Sequence, residues 1–152
     1  STDTDVSWKL GGGGFISNID DLAAFARALI NGRLVKPGTE KLMWTPRKLK
    51  NSKPTTYGFG FNISGGGKDL QVSHSGGQEK TRTRMVIFPA KKLGVVVMSN
   101  SEHCNSKSLA RAAIRSITRA LENKPVKTSR LPAHRKSSLA LLGRLQMPAT
   151  RP

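Results

Sequence analysis

Residues 72–77 read Val-Ser-His-Ser-Gly-Gly, residues 84–89 read Arg-Met-Val-Ile-Phe-Pro, and residues 93–100 read Leu-Gly-Val-Val-Val-Met-Ser-Asn. The last two runs are short, apolar and β-branched, with Pro89 to Lys92 between them. That pattern predicts two strands joined by a tight turn. Val95, Val96 and Val97 are consecutive, so their strand is expected to be covered on both faces. The first run ends in His74, Ser75, Gly76 and Gly77, where adjacent glycines let another group approach the backbone. A histidine and a serine beside such glycines suggest a ligand-facing edge of a sheet.

The chain has 152 residues, a length that suits one domain. Its hydrophobic fraction of 36% and aromatic fraction of 5% allow a modest core. Net charge is +17, unevenly spread. Residues 1–100 carry 15 basic and 7 acidic side chains, whereas residues 101–152 carry 11 and 2. Such an excess attracts nucleic acid or anionic membrane. Cys104 is the sole cysteine, which excludes an internal disulfide and a thiolate metal cluster. No apolar run approaches the roughly 18 residues of a membrane span. The opening Ser-Thr-Asp-Thr-Asp is polar and acidic, unlike a secretory or mitochondrial leader, and the chain is expected to be a processed product or a fragment.

Outward from the strands, residues 1–10 are polar without a period, and residues 11–14 are four glycines. A phosphate loop needs a Gly-Lys-Ser/Thr sequel, but Phe15-Ile16-Ser17 follows, so a turn is the better reading. Ser17 is the expected N-cap of a helix over 18–31, with Asp20 as its partner three residues on. Ile19, Leu22, Ala23, Ala26, Leu29 and Ile30 recur at helical spacing, and Asn31-Gly32 supplies the stop. Asp20 and Asp21 are read as dipole-favoured first-turn residues rather than an acid/base pair. Pro37-Gly38 breaks the chain, and Thr39 is expected to cap a short helix through Trp44. Residues 47–53 read as a basic loop. Tyr57-Gly-Phe-Gly-Phe61 alternates aromatic and glycine, which predicts a strand with its large side chains on one face. Gly65, Gly66 and Gly67 form a turn.

A second helix is predicted over 106–123, with Leu109, Ala113, Ile114, Ile117, Ala120 and Leu121 as its apolar stripe. Lys107, Arg111, Arg115 and Arg119 repeat every four residues. Like charges at that spacing disfavour a lone helix, so a stripe meeting phosphates or acidic lipid stands beside a simple solvated face. Residues 125–152 are rich in Lys, Arg, Ser and Pro and are expected to form a disordered tail, with residues 139–145 its only apolar patch. His103-Cys104 is poorly spaced for joint ligation and His134 lies in the tail, so no metal and no cofactor is expected.

In this order the chain resembles the C-terminal part of the serine β-lactamase-like hydrolases. That family includes class C β-lactamases, penicillin-binding D-alanyl-D-alanine carboxypeptidases and related esterases. Four stretches carry the likeness: Gly-Gly-Phe-Ile-Ser-Asn-Ile-Asp-Asp-Leu-Ala at 13–23, Tyr-Gly-Phe-Gly-Phe at 57–61, His-Ser-Gly-Gly at 74–77, and Leu-Gly-Val-Val-Val-Met-Ser-Asn at 93–100. The resemblance implies an α+β fold: an antiparallel β-sheet flanked by helices, here a partial β-lactamase/transpeptidase-like fold lacking its N-terminal strands and nucleophile helix. Residues 1–124 would form the C-terminal part of such a domain. His74, Ser75 and Gly76 match the family's Lys-Thr-Gly or His-Ser/Thr-Gly triplet on the strand that walls its active site. The resemblance gives His74 the place of a cation or proton carrier, Ser75 a hydroxyl for the substrate, and the Gly77 N–H the place of one oxyanion-hole donor.

Other parts of the family pattern are missing. No serine in the chain has a lysine three residues later, and neither Tyr-x-Asn nor Ser-x-Asn occurs. Glu79-Lys80-Thr81-Arg82 stands where the family usually has a Pro-Gly-aromatic turn. Without nucleophile and base, acyl-enzyme chemistry has no first step. The expected function is therefore that of a hydrolase piece, silent alone, which handles a small-molecule amide or ester once an N-terminal piece brings Ser-x-x-Lys. The missing strands would leave Val95, Val96, Val97 and Met98 on an unpaired edge open to self-association. The alternative is a basic module contacting nucleic acid or anionic membrane through Lys107, Arg111, Arg115, Arg119 and the tail.

Overall fold

A computed structural model describes residues 11–122 of the protein. The polar segment 1–10, the tail 125–152 with its 139–145 patch, and His134 lie outside the described residues.

Helix α1 spans Ile19–Ile30. Its N-cap is Asn18, not Ser17: Asn18 Oδ1 accepts the Asp21 N–H at 2.9 Å, and Asn18 Nδ2 donates to Asp21 Oδ2 at 2.7 Å. Asn18 directly precedes the first helical residue in extended conformation, so its amide reaches both the backbone and side chain of Asp21, while Ser17 Oγ donates to Asn18 O at 3.2 Å instead. At the other end, Gly32 takes φ +63° and donates to Leu29 O, while Arg33 donates to Ala28 O. This is the paired C-terminal closure that the Asn31-Gly32 stop predicts. Helix α2 covers Pro37–Met43 and starts two residues before the expected Thr39. Proline fits the first helical position, where its missing N–H has no intrahelical partner to lose.

Strands β1 (Asn62–Ser64), β2 (Gln71–Gln78), β3 (Thr81–Phe88) and β4 (Leu93–Ser99) form one antiparallel sheet in the order β1-β2-β3-β4. The two predicted strands are β3 and β4, joined by a single 3-10 turn at Pro89–Lys91. Helix α3 (Ser106–Leu121) is capped by Asn105, whose Oδ1 accepts the Ser108 N–H at 3.0 Å.

The helices cover opposite faces of the sheet, and the valines of β4 divide between them. Val96 joins Ala26, Leu29, Ile63, Val72, Met85 and Ile87 on the α1 side. Val95 and Val97 join Val86, Ala110 and Ala113 on the α3 side. Consecutive strand residues point to opposite faces, so three buried valines in a row require a layer on each side. Leu29, Ile87 and Val72 are fully buried; each such side chain contributes about 1.5–3 kcal/mol relative to exposure. Lys92, in the β3–β4 turn, donates from Nζ to Ile30 O at 2.9 Å and ties that turn to the carbonyl end of α1.

Two sequence expectations are corrected here. Residues 57–61 form no strand. They make a tight corner with an isolated bridge between Tyr57 and Asn62, and Gly60 takes φ +77°. Gly58 donates to Phe61 O, and a Cβ at Gly58 would lie 2.1 Å from Met43 O. The glycines therefore serve a turn pressed onto the end of α2. Tyr57 and Phe59 are exposed while Phe61 is buried. On α3, Ala110 enters the core, whereas Ala120 and Leu121 are exposed, because the helix runs past the sheet beyond Ile117.

Candidate active site

Strand β1 pairs with β2 only through Gln71, Val72 and Ser73. Among the described residues the outer edge of β2 from His74 to Gln78 has no strand partner, and all five residues are exposed. The His-Ser-Gly-Gly stretch therefore lies on an open strand edge, whose amides and carbonyls are fixed in direction by the β2–β3 ladder on the other side.

Successive residues of that edge meet different surroundings. His74 is opposite Met85 and shares the α1 side of the sheet with Gly76 and Thr83. Its Nε2 is 3.0 Å from Tyr57 Oη, and the two rings meet edge-on with centroids 6.3 Å apart. Ser75 is opposite Arg84 on the α3 side. Arg84 Nη2 makes a long 3.5 Å contact with Oγ of Ser73, a serine only 3% exposed. Partial burial of Arg84 and, secondarily, the neighbouring Arg111 guanidinium lower its pKa from the ordinary arginine value. Two cations thus lie near one another on the α3 side, and among the described residues neither forms an ion pair.

The glycines have unequal reasons. A Cβ at Gly76 would lie 2.5 Å from Thr83 Oγ1, so a side chain there would force the threonine hydroxyl to shift. A Cβ at Gly77 would meet Arg82 Nη1 at 3.2 Å, the far end of a flexible side chain. Arg82 Nη1 donates to the carbonyls of Gln78 and Thr81 and clasps the turn at Glu79 and Lys80, where Lys80 takes φ +58°. Gln78 Nε2 donates to Gly13 O at 2.7 Å, which brings the glycine run to the end of β2.

The four residues singled out from sequence thus share one strand edge, with His74 and Gly76 on one face and Ser75 and Gly77 on the other. Sequence reasoning missed Tyr57, Thr83 and Arg84 as their neighbours. The register of the β2–β3 hairpin would have identified Thr83 and Arg84; Tyr57 is a non-local contact with no local signal. Among the described residues no serine hydroxyl bonds to a histidine or lysine. Nor does any group of three or more His, Cys, Asp or Glu gather there to hold a metal ion. The site can offer fixed backbone donors, an imidazole held by a phenol, and a serine beside a guanidinium.

A family model described as Beta-lactamase matches residues 1–119 of the chain. No curated protein matches it.

Proposed function

As the chain belongs to the beta-lactamase family, we propose that it is the strand-bearing C-terminal part of a serine hydrolase acting on a small-molecule amide or ester. His74, Ser75 and Gly76 wall the site, and the Gly77 N–H is one of the donors to the developing oxyanion. The nucleophile comes from a segment carrying Ser-x-x-Lys, a motif this sequence does not contain. Its Oγ attacks the carbonyl carbon and loses its proton to the neighbouring base. The amine or alcohol departs with a proton, and water then hydrolyses the acyl-serine. A strand-edge N–H suits the oxyanion because its direction is set before charge develops.

The observation that carries this reading is the open edge of β2 from His74 to Gln78, left free by a β1 that stops at the partner of Ser73. The test is hydrolysis of a chromogenic ester and a chromogenic β-lactam by the chain alone and by the chain mixed with an N-terminal piece bearing Ser-x-x-Lys. Turnover is expected only in the mixture, and His74→Ala there should reduce it by about 10²-fold or more. Full turnover by the mixture carrying His74→Ala would remove the histidine from the site.

A second reading draws on α3, where Lys107, Arg111 and Arg115 are exposed and unpaired among the described residues. In it the helix binds a polyanion. Affinity for duplex DNA should then fall linearly in log–log salt plots with a slope of about −0.9 per phosphate neutralised. Binding that ignores salt would rule this reading out.

A further inference from the structure

We infer that Tyr57 is a positioning residue for His74: it holds Nε2 through its hydroxyl and leaves Nδ1 as the ring nitrogen that exchanges protons at the β2 edge. The inference rests on the proposed role of His74 and adds which of its nitrogens acts.

Tyr57 is well anchored for such a task. Its carbonyl accepts the Arg47 N–H at 2.9 Å and its own N–H donates to Thr55 Oγ1 at 3.2 Å. It bridges to Asn62, and Asn62 pairs with Ser73, the residue before His74. The corner at 57–61 is pinned in turn, since Phe59 donates to Met43 O and Gly58 leaves no room there for a side chain. This chain of backbone pairings delivers the phenol to the imidazole from 17 residues upstream, with the oxygen 3.0 Å from Nε2 and the ring edge-on to His74.

A neutral imidazole carries one proton, and a phenol oxygen can either accept that proton's hydrogen bond or donate its own, so the 3.0 Å contact is compatible with both tautomers. Only the arrangement with Nε2–H on Tyr57 Oη also serves the imidazolium, in which both nitrogens donate, and we assign that one. With Nε2–H donating to Tyr57 Oη, Nδ1 keeps its lone pair. A proton taken from a reacting hydroxyl or amine then bonds to Nδ1 and gives an imidazolium, while Nε2–H remains on the phenol oxygen throughout. The same proton returns from Nδ1 to the leaving group, so protons balance and Tyr57 need not ionise. Tyrosine is thereby an acceptor in both states, and the ring need not turn between them.

The test uses the chain itself. Long-range proton–nitrogen correlation spectra at a pH where His74 is neutral should show its proton on Nε2 in a single dominant tautomer. His103, whose Nε2 lies 3.8 Å from Glu102 Oε1, is the internal reference. Tyr57→Phe keeps the ring but removes the oxygen. It should mix the two tautomers of His74, leave His103 unchanged and preserve the backbone amide spectrum. A proton on Nδ1 in the native chain, or identical His74 nitrogens in Tyr57→Phe, would overturn the inference. The native spectrum is decisive even if the variant fails to fold. Failure of the mixed pieces to hydrolyse substrate would count against the proposed function and leave this tautomer measurement standing.

Discussion

Gly76 sits opposite Thr83, and the space between them is smaller than a methyl group. Gly76→Ala should therefore destabilise the fold by about 1–3 kcal/mol, the usual cost of overpacking. Thr83→Ala in the same chain should restore most of that loss, because the close contact is with Oγ1 and the Thr83 Cβ is 3.9 Å away. Urea unfolding of the two single variants and the double variant measures the coupling, and additive losses would count against this contact. That glycine was legible in the sequence as a place of close approach; the group approaching it was not, because the partner is set by strand register. The same holds for His74. Its type and its neighbours Ser75 and Gly76 suggested a working edge, but nothing local announces a phenol from residue 57. Ser17 and Asn18 are both good capping types, so composition alone could not choose between them.

Elements were legible where their period was unbroken. The apolar spacing of α1 and α3 and the β-branched runs of β3 and β4 each agree with the layer they pack against. Residues 57–61 misled because alternation describes side chains and is silent on φ. Gly60 at +77° turns a strand-like pattern into a corner. Two tests belong at this scale. Asn18→Ala should cost about 0.5–2 kcal/mol by removing the cap of α1, whereas Ser17→Ala should stay within about 0.5 kcal/mol as a surface change. The reverse ranking, read by thermal unfolding, would return the cap to Ser17. The second concerns the 3-10 turns at Gly67–Asp69 and Pro89–Lys91, which Lys91 Nζ and Asp69 Oδ1 join at 2.6 Å. The hydrogen bond from Lys91, and then its charge, lower the Asp69 pKa. A depressed carboxyl pKa means the unfolded chain binds more protons. Its stabilisation is thus present above the ordinary carboxylate range and fades as pH falls through the lowered folded value. Lys91→Met should flatten that acid limb of the stability–pH curve, and an unchanged limb would show that the pair contributes nothing.

For the whole molecule, β4 is the informative strand. Val95, Val96 and Val97 are buried on both faces, yet the strand ends the sheet and its outer backbone edge is unpaired among the described residues. Unpaired apolar edges invite another strand. We expect the isolated chain to self-associate as its concentration rises, and an N-terminal piece of the same protein to compete that association away, as followed by sedimentation velocity. A monomer at all concentrations whose β4 amides exchange slowly would contradict this. The sheet with helices on both faces was readable from the sequence, because both layers leave periodic marks. No serine is followed by lysine at the third position, and the proposed function takes its nucleophile from another segment on that ground. In the proposed function this chain contributes the wall and an oxyanion donor, while the attacking serine belongs to another segment. Mass spectrometry after treatment with an active-site-directed phosphonate tests it most directly. An unmodified chain is expected when it is treated alone, and a single adduct on the supplied Ser-x-x-Lys piece when the two are mixed. A phosphonylated serine within residues 1–152 of the isolated chain would contradict it.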